Sequence, residues 1–324
     1  MEREMCLCAG RANRPLAQAI ADQLGQPLLD VTLTTFPDSE VHVQINHLVR
    51  HKDIYIIQPC SRPVNDHLVE LLLLIDAFRR ASAHAINVVV PYFPYARQDR
   101  MARGREAIGA RVVARMLQEM GATRVIYVDI HAKAIQGFFD IPVDPLTALP
   151  VLASHFRSDA FANATVVSPD VGRTWLAQKY ADFLDLPMAV LYKRRTGERV
   201  KVTHVAGDIA GRTPIVIDDI IASGSMLDEL PALIEHGHAR PPFYLAVTHA
   251  VLLDSALARL DNDLIAELVV TDTVYIPEHV RRHPKLRVHS VAPLLAEAIR
   301  HIQEGKTVGR FVEGTWQNDK INSP

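Results

Sequence analysis

The sequence predicts an α/β protein built of mostly parallel sheets flanked by helices, and three observations carry that prediction. Apolar runs of strand length alternate with runs of helical period almost throughout the chain. Most strand runs are continuously apolar rather than alternating, as in parallel strands buried on both faces. One of them, Ile215-Val216-Ile217, runs into two adjacent acids and then a turn of small residues, Ala222-Ser223-Gly224-Ser225. Ligands of open α/β sheets gather at such carboxyl edges.

The elements follow in order. Cys6 and Cys8 alternate within a strand, where a small buried thiol is expected rather than a metal ligand. Glu40–Ile45 sets Val41, Val43 and Ile45 against polar neighbours, the pattern of a half-exposed antiparallel strand or hairpin. Ile54–Gln58 is a strand bounded by Pro59, and Pro63 opens a helix with Leu68, Leu71, Leu72 and Ile75 on one face. Ile86–Val90 is the next strand. Ile108–Met120 has helical spacing and stops at Gly121. Strands are expected at Val125–Ile130, Thr165–Ser168, Met188–Tyr192, Ile215–Asp218, Tyr244–Thr248 and Ile265–Thr271. Pro293–Gln303 is a last amphipathic helix, and the polar tail after Gly314 is expected to fray. The proline-rich, non-periodic stretch Ile141–Pro145 is the expected domain boundary, giving domains at 1–145 and 146–304 and a tail at 305–324.

Composition bounds the function. A chain of 324 residues is long enough for two domains, and 48% hydrophobic residues fill a sizeable core. A formal net charge of −2 gives no global attraction for nucleic acid or an anionic membrane. The longest apolar stretch, Leu68 to Phe78, contains Glu70 and Asp76 and is too short to span a bilayer. No apolar signal region follows the N-terminus, and three cysteines cannot all pair, so a reducing cytoplasm is expected.

Several constellations carry candidate chemistry. In Asp218-Asp219-Ile220-Ile221-Ala222-Ser223-Gly224-Ser225, paired acids can accept hydrogen bonds from a sugar diol, and the small turn can close backbone N–H groups and hydroxyls around a phosphate. A tight turn with solvated acids would read the same way. Arg97-Gln98-Asp99-Arg100 would by its charges alone read as a solvated loop, but it follows an aromatic, proline-ordered lead-in, Tyr92-Phe93-Pro94-Tyr95, and its guanidinium groups suit triphosphate oxygens. Asp129-Ile130-His131 ends a strand, where residues two apart share a face, so acid and imidazole would point together at a metal, a phosphate or each other. Ser168-Pro169-Asp170-Val171-Gly172 offers another acid at the same kind of edge. One or two carboxylates with substrate phosphates suffice for Mg²⁺. Lys193-Arg194-Arg195 precedes the Thr196-Gly197-Glu198-Arg199 hairpin and could close over a transferring phosphoryl group, or be a solvated basic tip. Phe36-Pro37-Asp38-Ser39-Glu40 by itself reads only as a turn.

In order and spacing these segments resemble the ribose-phosphate pyrophosphokinase family over nearly the whole chain. Phe36–Ile45, Gln58–Ala81, Pro91–Arg100, Val128–Asp144, Ser168–Gly172, Lys193–Arg195, Gly207-Asp208-Ile209 and Asp218–Ser225 carry the resemblance, and Val128–Asp144 is its most specific part. It implies two similar phosphoribosyltransferase-like domains, the first on the ATP side and the second binding ribose 5-phosphate. It also implies transfer of the β,γ-diphosphoryl group of ATP to the 1-hydroxyl of ribose 5-phosphate, releasing AMP. Phe36, Asp38 and Glu40 would hold adenine, from a neighbouring subunit, while Arg97, Gln98 and Asp99 contact ATP. His131 and Asp170 would place Mg²⁺ and the phosphates, with Lys193 and Arg195 stabilising developing charge. Asp218 and Asp219 would hold the ribose hydroxyls, and Ala222, Ser223, Gly224, Ser225 and Met226 the 5-phosphate. The implied assembly is a homo-oligomer, a hexamer built from dimers.

The departures from the family pattern lie mostly in the pentose loop. Ala222 replaces a polar residue, Ser225 a glycine and Met226 a threonine, so one hydroxyl is lost and one gained. Ser225 adds a Cβ where the backbone would need positive φ. Pro231 is tolerated only in a first helical turn, so the following helix is expected to start late. Arg173 stands where many members have a second glycine, and Arg111 where a lysine is common. An altered loop leaves open a regulatory paralogue that co-assembles with a true synthetase. A phosphoribosyltransferase would share the Asp218 loop but leave Phe36–Glu40 and Arg97–Asp99 unexplained.

Overall fold

The structure, a computed structural model, describes residues 3–196 and 199–317, without the side chains of 195, 196 and 199–201. Two compact units divide it. The first takes the chain up to Thr147, Thr273–Tyr275 and the chain from Ser290, and the second takes Ala148–Asp272 and Ile276–His289.

The first unit begins with β1 (Met5–Ala9), α1 (Arg14–Leu24) and the hairpin of β2 (Val31–Thr35) and β3 (Val41–Ile45). It continues through β4 (Asp53–Ile57), α2 (Val64–Arg80), β5 (Ala85–Val90), α3 (Gly109–Met120), β6 (Arg124–Val128) and β7 (Val143–Leu146). Its main sheet runs β1-β4-β5-β6-β7, parallel throughout. Leu71, Phe78 and Leu117 from α2 and α3 bury against Ile56 and Val88 of that sheet. Gly121 ends α3 at φ +119°, the left-handed conformation that a glycine stop supplies without Cβ strain. Cys6 and Cys8 are buried in β1 as free thiols, and burial pushes the Cys8 thiol up to about 12. The 141–145 stretch expected as the domain boundary runs into the edge strand β7. Pro145 lies opposite Tyr127 in β7, at a sheet edge where a missing N–H costs no ladder bond, and the boundary falls after Thr147.

The second unit comprises α4 (Leu149–Ala153), β8 (Ala164–Ser168), α5 (Thr174–Leu184), β9 (Met188–Thr196), β10 (Arg199–Gly207) and β11 (Thr213–Ile221). Then come α6 (Pro231–Gly237), β12 (Phe243–Ala250), α7 (Asp254–Leu260), β13 (Ile265–Thr271), α8 (Glu278–Arg281) and β14 (Leu286–His289). Its sheet order is β10-β9-β8-β11-β12-β13-β14, parallel except for β9–β10. Val166, Ile215 and Ile217 face a core with Leu176 and Tyr180, while Val167 and Val216 face one with Leu233 and Leu245. Burial on both faces is why these strands read as unbroken apolar runs.

From Ser290 the chain returns to the first unit as α9 (Ala292–Gln303) and α10 (Gly309–Glu313). This differs from the expected second domain at 146–304. α9 packs on α1, the Gln303 side chain accepts from Tyr55 Oη (3.2 Å) and donates to the Arg3 carbonyl (2.9 Å), and Thr147 N–H donates to the Phe311 carbonyl (2.9 Å). Trp316 is buried beside Phe311, so the chain past Gly314 is packed that far rather than frayed. The rest of the tail, from 318, lies outside the described residues.

Candidate active site

The expected site residues fall in both units. Those of the first unit sit on three connections. Phe36–Glu40 forms the tip of the β2–β3 hairpin. Ser39 N–H donates to Phe36 O (2.9 Å), Ser39 takes φ +78°, and Phe36 N–H donates to Glu40 O (2.8 Å). A tight turn followed by one left-handed residue is a common three-residue hairpin loop. Asp38 Oδ1 accepts from Glu40 N–H (3.2 Å), and the Phe36 ring is 48% exposed beside His42.

Arg97, Gln98 and Asp99 lie in the connection after β5. Phe93 buries its ring 6.0 Å from both Tyr127 and Phe139 and anchors the lead-in. Gln98 N–H donates to Tyr95 O (2.8 Å), and Gln98 O accepts from Ala110 N–H (3.2 Å), which ties the loop to α3. Arg97 and Gln98 are exposed, as is Arg111 on α3. At His131 strand geometry was the wrong guide. β6 ends at Val128, and Asp129 has φ +37°, outside any strand, with its N–H on Leu146 O (2.9 Å). The alternation argument that pointed Asp129 and His131 the same way therefore does not apply.

The second unit gathers the remaining residues at strand ends. β8 and β11 are parallel neighbours. After β8, Asp170 Oδ1 accepts from Arg173 N–H (3.2 Å) and caps the turn Val171–Arg173. The Arg173 side chain then reaches both acids of β11, with Nη2 2.9 Å from Asp219 Oδ1 and Nε 3.4 Å from Asp218 Oδ1. Asp219 N–H donates to Asp218 Oδ1 (2.8 Å). Both acids lie within β11, which extends to Ile221 rather than ending at Asp218.

Beyond β11 the turn is shaped by Gly224. Its φ is +74°, and a Cβ there would lie 2.9 Å from Ala256 Cα. Ile221 O, Ala222 O and Ser223 O accept from Val251 N–H, Leu253 N–H and Ser255 Oγ. In a trans peptide the N–H points opposite the C=O, so the loop amides face away from the segment leading into α7. Ser225 takes no positive φ, because Gly224 carries that conformation. The segment Ser225–Glu229 is a single tight 3-10 turn, and α6 starts only at Pro231, the late start that Pro231 implied. Ser223 and Ser225 are exposed, while Met226 packs on the core beneath the loop.

The basic segment also differs from expectation. Lys193, Arg194 and Arg195 belong to β9 itself, paired with β10, rather than to a loop after it. Lys193 Nζ forms an ion pair with Glu229, the last residue of the tight turn. Burial pushes the Glu229 carboxyl up, and the Lys193 ammonium works against that shift. The Arg195 side chain and the Gly197-Glu198 tip lie outside the described residues.

Two contacts here had no local signal in the sequence: Arg173 with the acid pair, and Lys193 with Glu229. Both join residues far apart in the chain. The unusual Arg173 was the only pointer to the first.

Burial, then the adjacent Asp219 carboxylate, push the Asp218 carboxyl well above its usual range, with Arg173 opposing both. A raised carboxyl keeps its proton in the folded chain after the unfolded chain has lost it. The stability at this site therefore falls as pH rises from the ordinary value of 3.8 toward the raised one. Asp218→Asn is expected to raise the melting temperature at about pH 8 and leave it nearly unchanged at about pH 3. Melts at the two pH values check this, and an equal shift at both would rule out the protonation argument.

Paired acids and a glycine turn at the carboxyl edge of a parallel sheet are the plan of an α/β protein that handles sugar phosphates or nucleotides. Residues 5–121 match the family model for the N-terminal domain of ribose phosphate pyrophosphokinase, and residues 196–312 match the phosphoribosyl synthetase-associated domain. The chain is 43% identical over 316 residues to a ribose-phosphate pyrophosphokinase of Clostridium tetani, covering 96% of this chain and 98% of that protein. It is 45% identical to that of Bacillus subtilis over 299 residues, 92% of this chain and 93% of the relative. Among solved structures, phosphoribosylpyrophosphate synthetase from Mycobacterium smegmatis superposes with a TM-score of 0.87 at 39% identity, over 94% of this chain and 100% of that one. The chain belongs to the ribose-phosphate pyrophosphokinase family.

Proposed function

We propose that this chain transfers the β,γ-diphosphoryl group of ATP to the 1-hydroxyl of ribose 5-phosphate, giving 5-phosphoribosyl 1-diphosphate and AMP. The observation that carries the reading is the β11 edge: two acids held by Arg173, followed by a glycine turn whose carbonyls are taken and whose amides face away from them. Asp218 and Asp219 accept from the ribose hydroxyls. Ala222, Ser223, Gly224, Ser225 and Met226 form the 5-phosphate loop, with amides and the two serine hydroxyls as donors. Lys193 and Arg195 stabilise charge on the transferring group and on leaving AMP.

On the ATP side, Arg97, Gln98 and Asp99 contact the nucleotide, and Phe36, Asp38 and Glu40 hold adenine for a neighbouring subunit. The exposed Phe36 ring suits stacking, and exposed Val69, Leu73 and Val112 on α2 and α3 favour self-association. The assembly proposed is a homo-oligomer, a hexamer built from dimers, that binds neither nucleic acid nor membrane. Asp170, with its hard carboxylate oxygen, and His131 would hold Mg²⁺ beside substrate phosphates and waters. The ion, when bound, would supply positive charge to the diphosphoryl oxygens, and positioning would fall to the side chains. No helix among the described residues is long and apolar enough to cross a membrane, and the proposed location is the cytoplasm.

AMP release from ATP, measured with and without ribose 5-phosphate, tests the activity. Release that depends on the sugar is expected. Release indifferent to it, or no release, overturns the proposal.

The loop makes a finer prediction. Met226 faces the core and Ser225 faces out. Ser225→Ala is therefore expected to weaken ribose 5-phosphate about tenfold, since a hydrogen bond to a charged partner is worth roughly 1.5–3 kcal/mol. Met226→Thr should leave the affinity within about twofold, because its hydroxyl would enter the core. Titration of the sugar phosphate against both variants decides, and tightening by Met226→Thr would reverse the assignment.

A further inference from the structure

We propose that Arg173 is the resident counter-cation of the pentose-holding acids, fixing Asp218 and Asp219 in the orientation that accepts a sugar diol. The inference rests on the pentose-site reading above.

Two carboxylates adjacent in sequence and largely withdrawn from water repel each other and resist ionisation together. Asp219 is 4% exposed, and Arg173 itself is 9% exposed. A buried cation in this position is matched to the acids rather than to solvent. The guanidinium is a planar fork, so its Nη2 and Nε edges reach two acceptors at once, here at 2.9 and 3.4 Å. Its backbone is fixed as well, because Arg173 N–H is held by the Asp170 carboxylate at the end of β8. The side chain thus bridges two neighbouring parallel strand ends, β8 and β11.

A guanidinium only donates, so Arg173 orients acceptors and leaves them to meet hydroxyl donors from the sugar. A carboxylate offers about four acceptor positions, enough for a guanidinium and a hydroxyl together. The upward push on Asp218 from burial and Asp219 is opposed by this same arginine. A glycine here, the residue many family members carry, would leave the acids without this cation. Arg173 is accordingly a positioning residue that acts through the acids.

The test compares wild type, Arg173→Met and Arg173→Lys in steady-state kinetics with both substrates. Met keeps the aliphatic packing without the charge, and Lys keeps the charge without the fork. Arg173→Met is expected to raise KM for ribose 5-phosphate about tenfold or more, with KM for ATP held within about twofold. Arg173→Lys should recover part of that loss. The site should also discriminate less against 2-deoxyribose 5-phosphate in Arg173→Met, because a polar site built for a hydroxyl rejects the analogue lacking it only while its acceptors are held.

A KM for ribose 5-phosphate within about twofold of wild type in Arg173→Met overturns the inference. So does a parallel rise in KM for ATP, which marks general damage, or a Lys variant no better than Met. Wild type that shows no dependence on ribose 5-phosphate fails at an earlier step and removes the activity itself, so the two failures are distinct.

Discussion

Lys193→Ala is expected to lower kcat about 10²–10³-fold while the KM values of both substrates move little. Phosphoryl transfer needs no covalent intermediate here, so positioning and electrostatics carry the rate. Removing one group aimed at transition-state charge costs roughly 3–4 kcal/mol. In this structure Lys193 Nζ rests on Glu229, a carboxyl that burial already pushes up. Once the lysine is gone, Glu229 can take up a proton rather than remain a lone buried anion, so the folded state is spared and the deficit falls on catalysis. The double variant Lys193→Ala/Glu229→Gln separates these effects. It should match or exceed the stability of the single variant and keep the same low kcat. Unchanged kcat with a raised KM would assign Lys193 to ground-state binding. Arg195→Ala should show the same kcat-dominated loss.

What the sequence disclosed follows from what periodicity can report. Burial on two faces writes continuous apolar runs, so β13 was legible at Ile265–Thr271 and α3 at its Gly121 stop. The half-buried hairpin strand Val41–Ile45 was legible because its alternation is a surface signal. Periodicity does not report handedness of a single residue, so the departure of Asp129 from the strand was hidden. Nor does it report which unit a segment packs on. α9 reads as an amphipathic helix wherever it lies, and only its packing on α1 assigns it to the first unit. Pro142 and Pro145 suggested a domain boundary because proline marks both the breaks between domains and sheet edges. In the candidate site, the acids and the glycine turn are contiguous in sequence and stood out. The pairs of Arg173 with those acids and of Lys193 with Glu229 are long-range, and no local pattern encodes a pair made across the fold.

Glu70→Ala is expected to destabilise the protein by about 3 kcal/mol and to raise KM for ATP. Glu70 is 1% exposed on α2. One carboxylate oxygen accepts from Arg11 N–H (2.7 Å) and from the Gln58 side-chain amide (2.9 Å), and the other pairs with Arg11 Nε. Gln58 Oε1 in turn accepts from Ala12 N–H (3.1 Å), so one carboxylate organises the turn after β1. Removing one partner of a buried ion pair costs roughly 3–5 kcal/mol. The Arg11 side chain is 40% exposed and can rehydrate, which places the loss at the low end, but the Arg11 amide and the Gln58 amide lose a buried acceptor. The effect also reaches the hairpin proposed to hold adenine. Arg11 Nη1 donates to Thr35 Oγ1 (2.8 Å), and Thr35 is the residue before Phe36 at the hairpin tip. With Glu70 gone the guanidinium loses its anchor, and the tip end of the hairpin loses a bond that holds it. Denaturant titration and KM for ATP measure the two consequences separately. A loss below about 1 kcal/mol would mean the carboxylate is not the centre of this network. A full loss of stability with unchanged KM for ATP would mean the hairpin holds its shape without Arg11.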